Sequence, residues 1–94
     1  MDINETNIII TGAGSGFGKE MSIHFSALGA TIYALDIDVF SLEKLKKENK
    51  DRIYTFKCDV SSNDEVESVV DEIFKNEKSI NVLINNAGIM KNAP

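Results

Sequence analysis

Short apolar runs recur along the chain and predict four β-strands. The runs lie at residues 8–10, 31–35, 53–58 and 81–85, and they are rich in isoleucine, valine, leucine and aromatic residues. The run at 8–10 consists of three consecutive isoleucines without polar alternation, which is typical of a strand that is buried on both faces.

The first two intervals between these runs predict helices, because apolar residues recur there at the spacing of one helical face. The apolar residues of the first interval are Phe17, Met21, Phe25 and Leu28. Gly29 is expected to end that helix. The apolar residues of the second interval are Val39, Leu42 and Leu45. Asp38 precedes them and is suited to the N-cap position.

The third interval predicts a helix with a defined start. Residues 62–65 read Ser-Asn-Asp-Glu, the pattern of a capping box, in which Ser62 caps the helix and Glu65 reaches back to it. The apolar stripe behind the box consists of Val66, Val69, Val70, Ile73 and Phe74. This interval therefore gives the clearest helix in the chain.

The alternation βαβαβαβ predicts a parallel sheet with right-handed crossovers. In a doubly wound arrangement, the first two helices would cover one face of the sheet and the third would cross to the other. The segment 82–84 would then form an apolar edge strand, a kind of edge that proteins normally cover.

Composition and net charge limit the classes of binding partner that we expect for this chain. The chain has 94 residues, enough for about one small domain, and a net charge of −5 with interspersed acids and bases. Nucleic acid and anionic membranes are disfavoured as partners, because both require a clustered basic surface. Cys58 is the only cysteine, so neither an intramolecular disulfide nor a cysteine-cluster metal site is expected. An acidic, polar N-terminal segment and the lack of a long apolar run predict a soluble cytoplasmic protein.

Four of the six glycines lie between the first strand and the first helix, at Gly12, Gly14, Gly16 and Gly18. A glycine loop that leads into a helix N-terminus is suited to phosphate binding, since backbone N–H groups and the helix dipole face the ligand. The spacing fits neither the P-loop pattern nor G-x-G-x-x-G. It fits T-G-x-x-x-G-x-G at residues 11–18.

With this glycine pattern, and with Asn-Asn-Ala-Gly at residues 85–88, the chain resembles the short-chain dehydrogenase/reductase family. The resemblance implies a Rossmann-type, doubly wound α/β sheet with the strand order 3-2-1-4, of which residues 1–94 would form the N-terminal, cofactor-binding part. It implies hydride transfer between a nicotinamide dinucleotide and an alcohol or carbonyl substrate. The residues expected to bind the cofactor are Gly12, Gly14, Ser15, Gly16, Phe17, Gly18, Asp36, Ile37, Asp59, Val60, Asn86, Ala87 and Gly88.

Acidic residues after the second strand predict NAD rather than NADP as the cofactor. Asp36 ends that strand, where a carboxylate can accept hydrogen bonds from the adenosine ribose hydroxyls. A 2′-phosphate would be repelled there, and Asp38 adds a second negative charge. Ser15 and Ile37 supply no compensating cation. In similar proteins, the residue at Asp59 binds the adenine amino group and the next residue packs on the ring.

The family's proton-transferring pair, Tyr-x-x-x-Lys, does not occur in these 94 residues. The fourth residue after Tyr33 is Ile37, and the fourth after Tyr54 is Cys58. We therefore assign no catalytic residue, and we expect the chain to be the inactive N-terminal portion of a longer enzyme. The full-length form is expected to bind a small-molecule substrate and to be a homo-oligomer.

Two alternatives remain open from the residues. Residues 12–16 also fit the G-x-G-x-G loop of S-adenosylmethionine-dependent methyltransferases, with Asp36 and Asp59 near ribose and adenine. That class normally has an acid near the end of the first strand, where this chain has Ile10 and Thr11. The second alternative is a non-catalytic nucleotide-binding module whose exposed strand edge pairs with another chain.

Overall fold

The computed structural model describes residues 3–49, 51–76 and 79–86. Strands and helices alternate as the sequence predicts. The elements are β1 (Asn7–Thr11), α1 (Gly16–Ala27), β2 (Thr31–Asp36), α2 (Val39–Glu48), β3 (Ile53–Lys57), α3 (Asn63–Asn76) and β4 (Val82–Asn85). The third strand ends one residue earlier than predicted and the fourth begins one residue later, so Cys58 and Asn81 lie just outside the strands.

The four strands form one parallel sheet in the order β3-β2-β1-β4, which confirms the predicted order. The register aligns Ile9 with Tyr33 on one side and with Leu83 on the other. Because all strands are parallel, their carboxyl ends lie at one edge of the sheet. The loop after β1 and the turns after β2 and β3 are therefore brought together.

Alternate residues of β1 and β2 face two separate cores, which confirms the doubly wound arrangement. One core combines Ile8, Ile10, Ile32 and Ala34 with residues of α1 and α2, including Met21, Phe25, Leu42 and Leu45. The other combines Ile9, Tyr33 and Leu35 with residues of α3, including Val66, Val69, Val70 and Ile73. Burial on both faces explains why β1 is an unbroken apolar run.

The predicted apolar face of α1 is only partly correct. The side chains of Phe17 and Leu28 are 77% and 50% exposed, whereas the fully buried positions of the helix are Gly18 and Ser22. Small residues allow the helix backbone itself to approach its neighbours, so the contact side combines Gly18 and Ser22 with Met21 and Phe25 of the predicted face. The Ser22 hydroxyl is satisfied within the helix, where it donates to the Gly18 carbonyl at 2.8 Å. Helix α1 does end just before Gly29, whose φ of +103° suits glycine.

The N-terminus of α2 has the predicted cap. One oxygen of the Asp38 carboxylate accepts hydrogen bonds from the amides of Phe40 and Ser41, at 3.1 and 3.2 Å. Its other oxygen accepts from the Ser41 hydroxyl at 2.7 Å. Two backbone donors that have no partner inside the helix are thereby satisfied.

Only one of the two hydrogen bonds of the predicted capping box before α3 is formed. The Ser62 hydroxyl accepts from the Glu65 amide at 3.3 Å, as predicted. The Glu65 carboxylate does not return to Ser62 but accepts from the Asp59 amide at 3.0 Å. The reason is local, since the Ser62 amide already donates to the Asp59 carbonyl at 2.9 Å. Glu65 therefore ties α3 to the turn after β3.

Strand β4 lies at the edge of the sheet formed by the described residues, as predicted. The outward side chain of Leu83 is 63% exposed there. Of the helices in residues 3–49, 51–76 and 79–86, none is long and apolar enough to cross a membrane.

Candidate functional site

The glycine loop between β1 and α1 lies across the carboxyl end of β2. Gly12 and Gly16 have φ values of +65° and +56°, in the left-handed region that favours glycine. Between them, the buried Ala13 donates its amide to the Leu35 carbonyl at 3.1 Å. The protein's own backbone groups therefore hydrogen-bond the loop to the neighbouring strand β2.

Gly18 brings the first turn of α1 against the start of this loop. A Cβ at residue 18 would overlap the Gly12 carbonyl oxygen and would lie 2.8 Å from the carbonyl carbon. It would also lie 3.0 Å from the Cα of Ala13. Only glycine permits this approach, so the third glycine position of the motif is explained by backbone packing.

The N-terminus of α1 faces this loop without an acidic group. Ser15 occupies the N-cap position, and its exposed side chain makes no capping hydrogen bond among the described residues. The first turn contains no Asp or Glu. The amides of this turn have no intrahelical acceptors and carry a partial positive charge, so the helix end is suited to an anion.

Asp36, at the end of β2, contacts the glycine loop directly. One carboxylate oxygen accepts from the Gly14 amide at 2.8 Å, and the other accepts from the Asp38 amide at 2.9 Å. A Cβ at residue 14 would lie 2.9 Å from the Asp36 carboxylate and 2.7 Å from the Cβ of Ser41. Gly14 therefore permits both the loop–carboxylate contact and the packing of the loop on α2.

Ser41 was not among the predicted site residues, although it touches the loop. Its position three residues after the N-cap Asp38 is a usable signal, because this spacing places a residue in the first helical turn. Three apolar residues lie close in the chain to the glycine loop or to the turn after β2. Phe17, Ile37 and Phe40 are exposed. Two of these, Phe17 and Ile37, belong to the predicted set, and Phe40 does not.

Asp59 lies in the turn after β3, held by its own neighbours. Its carboxylate accepts from the amide and the hydroxyl of Ser61, at 3.0 and 2.7 Å. The preceding amide, of Cys58, donates to the Asp36 carbonyl at 3.0 Å, so this turn adjoins the end of β2. Val60 is partly buried against the core beneath α3. Asp59 therefore lies at the carboxyl edge of the sheet, and its contacts with Ser61 orient the carboxylate.

Asn86 reaches the glycine loop from the end of β4. Its side-chain amide donates to the Gly12 carbonyl at 3.3 Å. The neighbouring Asn85 accepts from the Thr11 hydroxyl at 2.9 Å, which links the ends of β1 and β4. The other two predicted residues of this segment, Ala87 and Gly88, lie outside the described residues.

Three other features of the described residues bear on the chemistry the chain could perform. The buried Cys58 thiol has its pKa raised, first by burial and then by the negative charges of Glu65 and Asp59. No group of three or more His, Cys, Asp or Glu residues in the described part of the chain could hold a metal ion. Tyr33 and Tyr54 stack on each other with ring centroids 5.7 Å apart, and Tyr33 is buried in a core.

The loop, the helix N-terminus and Asp36 lie together at the carboxyl end of the sheet, the edge at which open parallel sheets generally bind their ligands. A family model described as short chain dehydrogenase matches residues 6–94. The chain belongs to this family. Relatives are named dehydrogenases and reductases, so the family is one of oxidoreductases.

Two curated relatives illustrate how closely the sequence of this chain matches other short-chain dehydrogenases. Short-chain dehydrogenase/reductase family 16C member 6 from Bos taurus is 32% identical over 93 residues, covering 95% of this chain and 29% of that protein. The 3beta-hydroxysteroid dehydrogenase 2 from Eggerthella lenta is 38% identical over 87 residues, covering 89% of this chain and 34% of that protein. The chain therefore spans about a third of the length of these relatives.

Solved structures of the family share the fold. An NAD⁺-bound xylitol dehydrogenase matches with a TM-score of 0.85 and 30% identity, covering 94% of this chain and 35% of that one. A 3-ketoacyl-(acyl-carrier-protein) reductase from Brucella melitensis, complexed with NADH, matches with a TM-score of 0.81 and 28% identity, covering 86% of this chain and 34% of that one.

Proposed function

We propose that this chain forms the NAD-binding part of a short-chain dehydrogenase that transfers hydride between the nicotinamide and an alcohol or carbonyl compound. The contact between the Gly14 amide and the Asp36 carboxylate carries this proposal. It supports the proposal because a carboxylate that could accept from ribose hydroxyls lies beside a glycine loop suited to pyrophosphate. The two related structures that hold NAD⁺ and NADH support the same class of cofactor.

The pyrophosphate is proposed to lie over the first turn of α1. Gly12, Gly14, Ser15, Gly16, Phe17 and Gly18 supply this part of the site. The close packing of Gly18 on Gly12 keeps side chains away from the loop, and the exposed Ser15 adds a hydroxyl donor. This local geometry is compatible with a net charge of −5, because the first turn of α1 contains no acid.

The preference for NAD over NADP is proposed on electrostatic grounds. Asp36 and Asp38 place two carboxylates in the turn after β2, and Ser15 and Ile37 bring no positive charge. Two like charges 4 Å apart repel by about 1 kcal/mol in water and by about 4 kcal/mol near a protein surface. We therefore expect NAD to bind at least about fivefold more tightly than NADP.

The adenine ring is proposed to lie near the turn after β3. Asp59 would accept a hydrogen bond from the adenine amino group, with Ile37 and Val60 against the ring. The contacts that Ser61 makes to the Asp59 carboxylate support an ordered acceptor at this place. Asn86 lies on the other side of the glycine loop, where it would line the cofactor with Ala87 and Gly88.

The chemistry beyond cofactor binding also remains a proposal. The Tyr-x-x-x-Lys pair that the family resemblance implies is not present in the 94 residues, so we expect these residues alone to bind NAD without turning over substrate. A homo-oligomeric full-length enzyme and a cytoplasmic location stay predictions of the sequence.

Calorimetric titration of NAD, NADP and S-adenosylmethionine into the wild type and Asp36→Ala tests the cofactor assignment. We expect the wild type to prefer NAD and Asp36→Ala to lose affinity for NAD and most of its discrimination against NADP. Glu43→Ala is the control, because it removes an exposed acid that lies about 200° around α2 from Ser41, the residue that packs on the loop. Equal affinity of the wild type for NAD and NADP would overturn the preference. Binding of S-adenosylmethionine without NAD would replace the dehydrogenase by the methyltransferase alternative.

A further inference from the structure

The Asp36 carboxylate is engaged with the protein on both of its oxygens in the structure. Oδ2 accepts from the Gly14 amide at 2.8 Å, and Oδ1 accepts from the Asp38 amide at 2.9 Å. Hydrogen bonds from an N–H group to a carboxylate are among the stronger ones in proteins. The carboxylate therefore joins the middle of the glycine loop to the turn that leads into α2.

We propose that Asp36 is a positioning residue for the glycine loop, in addition to its contact with ribose. On this proposal, which rests on the proposed dinucleotide function, the carboxylate holds Gly14 in the loop shape that accepts the pyrophosphate. The loss of Asp36 would then weaken the binding of a ligand that has no ribose and cannot touch residue 36.

Contacts around Asp36 support a rigid connection. Asp38, whose amide Asp36 binds, caps α2 through the amides of Phe40 and Ser41. The Ser41 side chain in turn lies so near Gly14 that a Cβ there would be 2.7 Å from the Cβ of Ser41. The loop is thus held from two sides, by a hydrogen bond to Asp36 and by packing on the first turn of α2.

Asp36 has enough hydrogen-bond acceptor positions to hold the glycine loop and to bind the ribose at the same time. A carboxylate has about four lone-pair positions. The amides of Gly14 and Asp38 take two of them. Two remain, which equals the number of hydroxyl groups on the adenosine ribose of NAD. Ribose binding would therefore complete the hydrogen bonding of Asp36 without displacing the loop.

The charge of Asp36 alone predicts the opposite effect on phosphate binding. A carboxylate near a pyrophosphate repels it, so removing that charge should tighten binding if position plays no part. The positioning role instead predicts weaker binding when the carboxylate is removed. The sign of the change therefore separates the two explanations.

Inorganic pyrophosphate is the probe for this test, followed through backbone amide shifts of the full 94-residue chain. We expect Asp36→Ala to raise the dissociation constant for pyrophosphate about tenfold and to speed hydrogen exchange at the Gly14 amide about tenfold. Asp38→Asn is the matched control, because it removes the same charge two residues away while asparagine still caps α2. We expect Asp38→Asn to bind pyrophosphate more tightly than the wild type.

A second measurement requires no variant. The scalar coupling across the hydrogen bond between the Gly14 nitrogen and the Asp36 carboxyl carbon should be detectable in the ligand-free wild type. A missing coupling, or pyrophosphate binding that tightens in Asp36→Ala, overturns the positioning role. A wild type that binds neither NAD nor pyrophosphate overturns the proposed function instead, and the coupling and the Gly14 exchange rate still decide the role of Asp36.

Discussion

Gly18, in the first turn of α1, packs its Cα on the carbonyl group of Gly12 at the start of the glycine loop. A side chain at residue 18 has no space, since its Cβ would lie 2.8 Å from the Gly12 carbonyl carbon and would overlap the oxygen. The same Gly12 carbonyl accepts from the Asn86 side chain at 3.3 Å. One carbonyl thus connects the helix, the loop and the end of β4.

Replacing Gly18 with alanine should therefore destabilise the protein. Alanine is a better helix former than glycine by about 1 kcal/mol, but the overlap with Gly12 should outweigh this gain. We expect a net loss of about 1–3 kcal/mol in the free energy of unfolding, measured by urea denaturation. Gly16→Asn is the control, since a Cβ at Gly16 meets nothing within 4 Å and asparagine tolerates the left-handed region. A Gly18→Ala variant as stable as the wild type would contradict the packing described for this turn.

Most of the contribution of α3 to the free energy of unfolding should come from Ile73. This side chain is fully buried in the core formed with Ile9, Tyr33 and Leu35, whereas its neighbour Phe74 is half exposed. We expect Ile73→Ala to cost about 2–5 kcal/mol of unfolding free energy. Phe74→Ala should cost less than about 1 kcal/mol. Similar losses for the two variants would show that α3 is turned differently on the sheet.

The Asp38 cap of α2 should make the stability of the protein depend on pH in the acidic range. Hydrogen bonds from the Ser41 hydroxyl and amide lower the pKa of Asp38 in the folded state. The charged cap therefore stabilises the fold fully above the unfolded value of about 3.9, and this stabilisation is lost as the pH falls through the lower folded pKa. We expect the difference in melting temperature between wild type and Asp38→Asn to shrink as the pH falls below about 4. A constant difference across this range would show that Asp38 does not titrate as a cap.

Cys58 should react slowly with thiol reagents in the folded protein. Burial raises the pKa of this thiol, and the nearby charges of Glu65 and Asp59 raise it further. Because the thiolate is the reactive form, we expect alkylation by iodoacetamide at pH 8 to be much slower in the folded protein than in urea. The folded state also binds the thiol proton more tightly than the unfolded state does. The contribution of Cys58 to the free energy of unfolding should therefore be fully present below the unfolded pKa of about 8.5 and decrease as the pH rises above that value. Cys58→Ala should remove that alkaline decline, which denaturation at pH 7 and pH 10 would measure.

The strand and helix pattern was predictable because each element carries its own local signal. The isoleucines of β1, the Asp38 cap and four of the five stripe residues of α3 depend on near neighbours in the chain, and the structure confirms them. The fifth stripe residue, Phe74, is 47% exposed, so that part of the prediction was wrong. The strand order follows from the family resemblance and is also confirmed. The capping box was predicted wrongly in one of its two hydrogen bonds, because a competing contact in the same turn took the place of the expected one. Glu65 binds the Asp59 amide because the Ser62 amide is already engaged.

The glycine spacing and Asn-Asn-Ala-Gly were enough to indicate the family. The sequence by itself thus determined the order of elements, the type of loop and the acid that follows β2. Only the tertiary structure decided that Gly18 and Ser22 are the fully buried positions of α1, because the close approach of Gly18 to Gly12 depends on space rather than on hydrophobicity. It also decided that Asp36 binds the Gly14 amide, since residues 22 positions apart meet only when parallel strands bring their carboxyl ends to one edge.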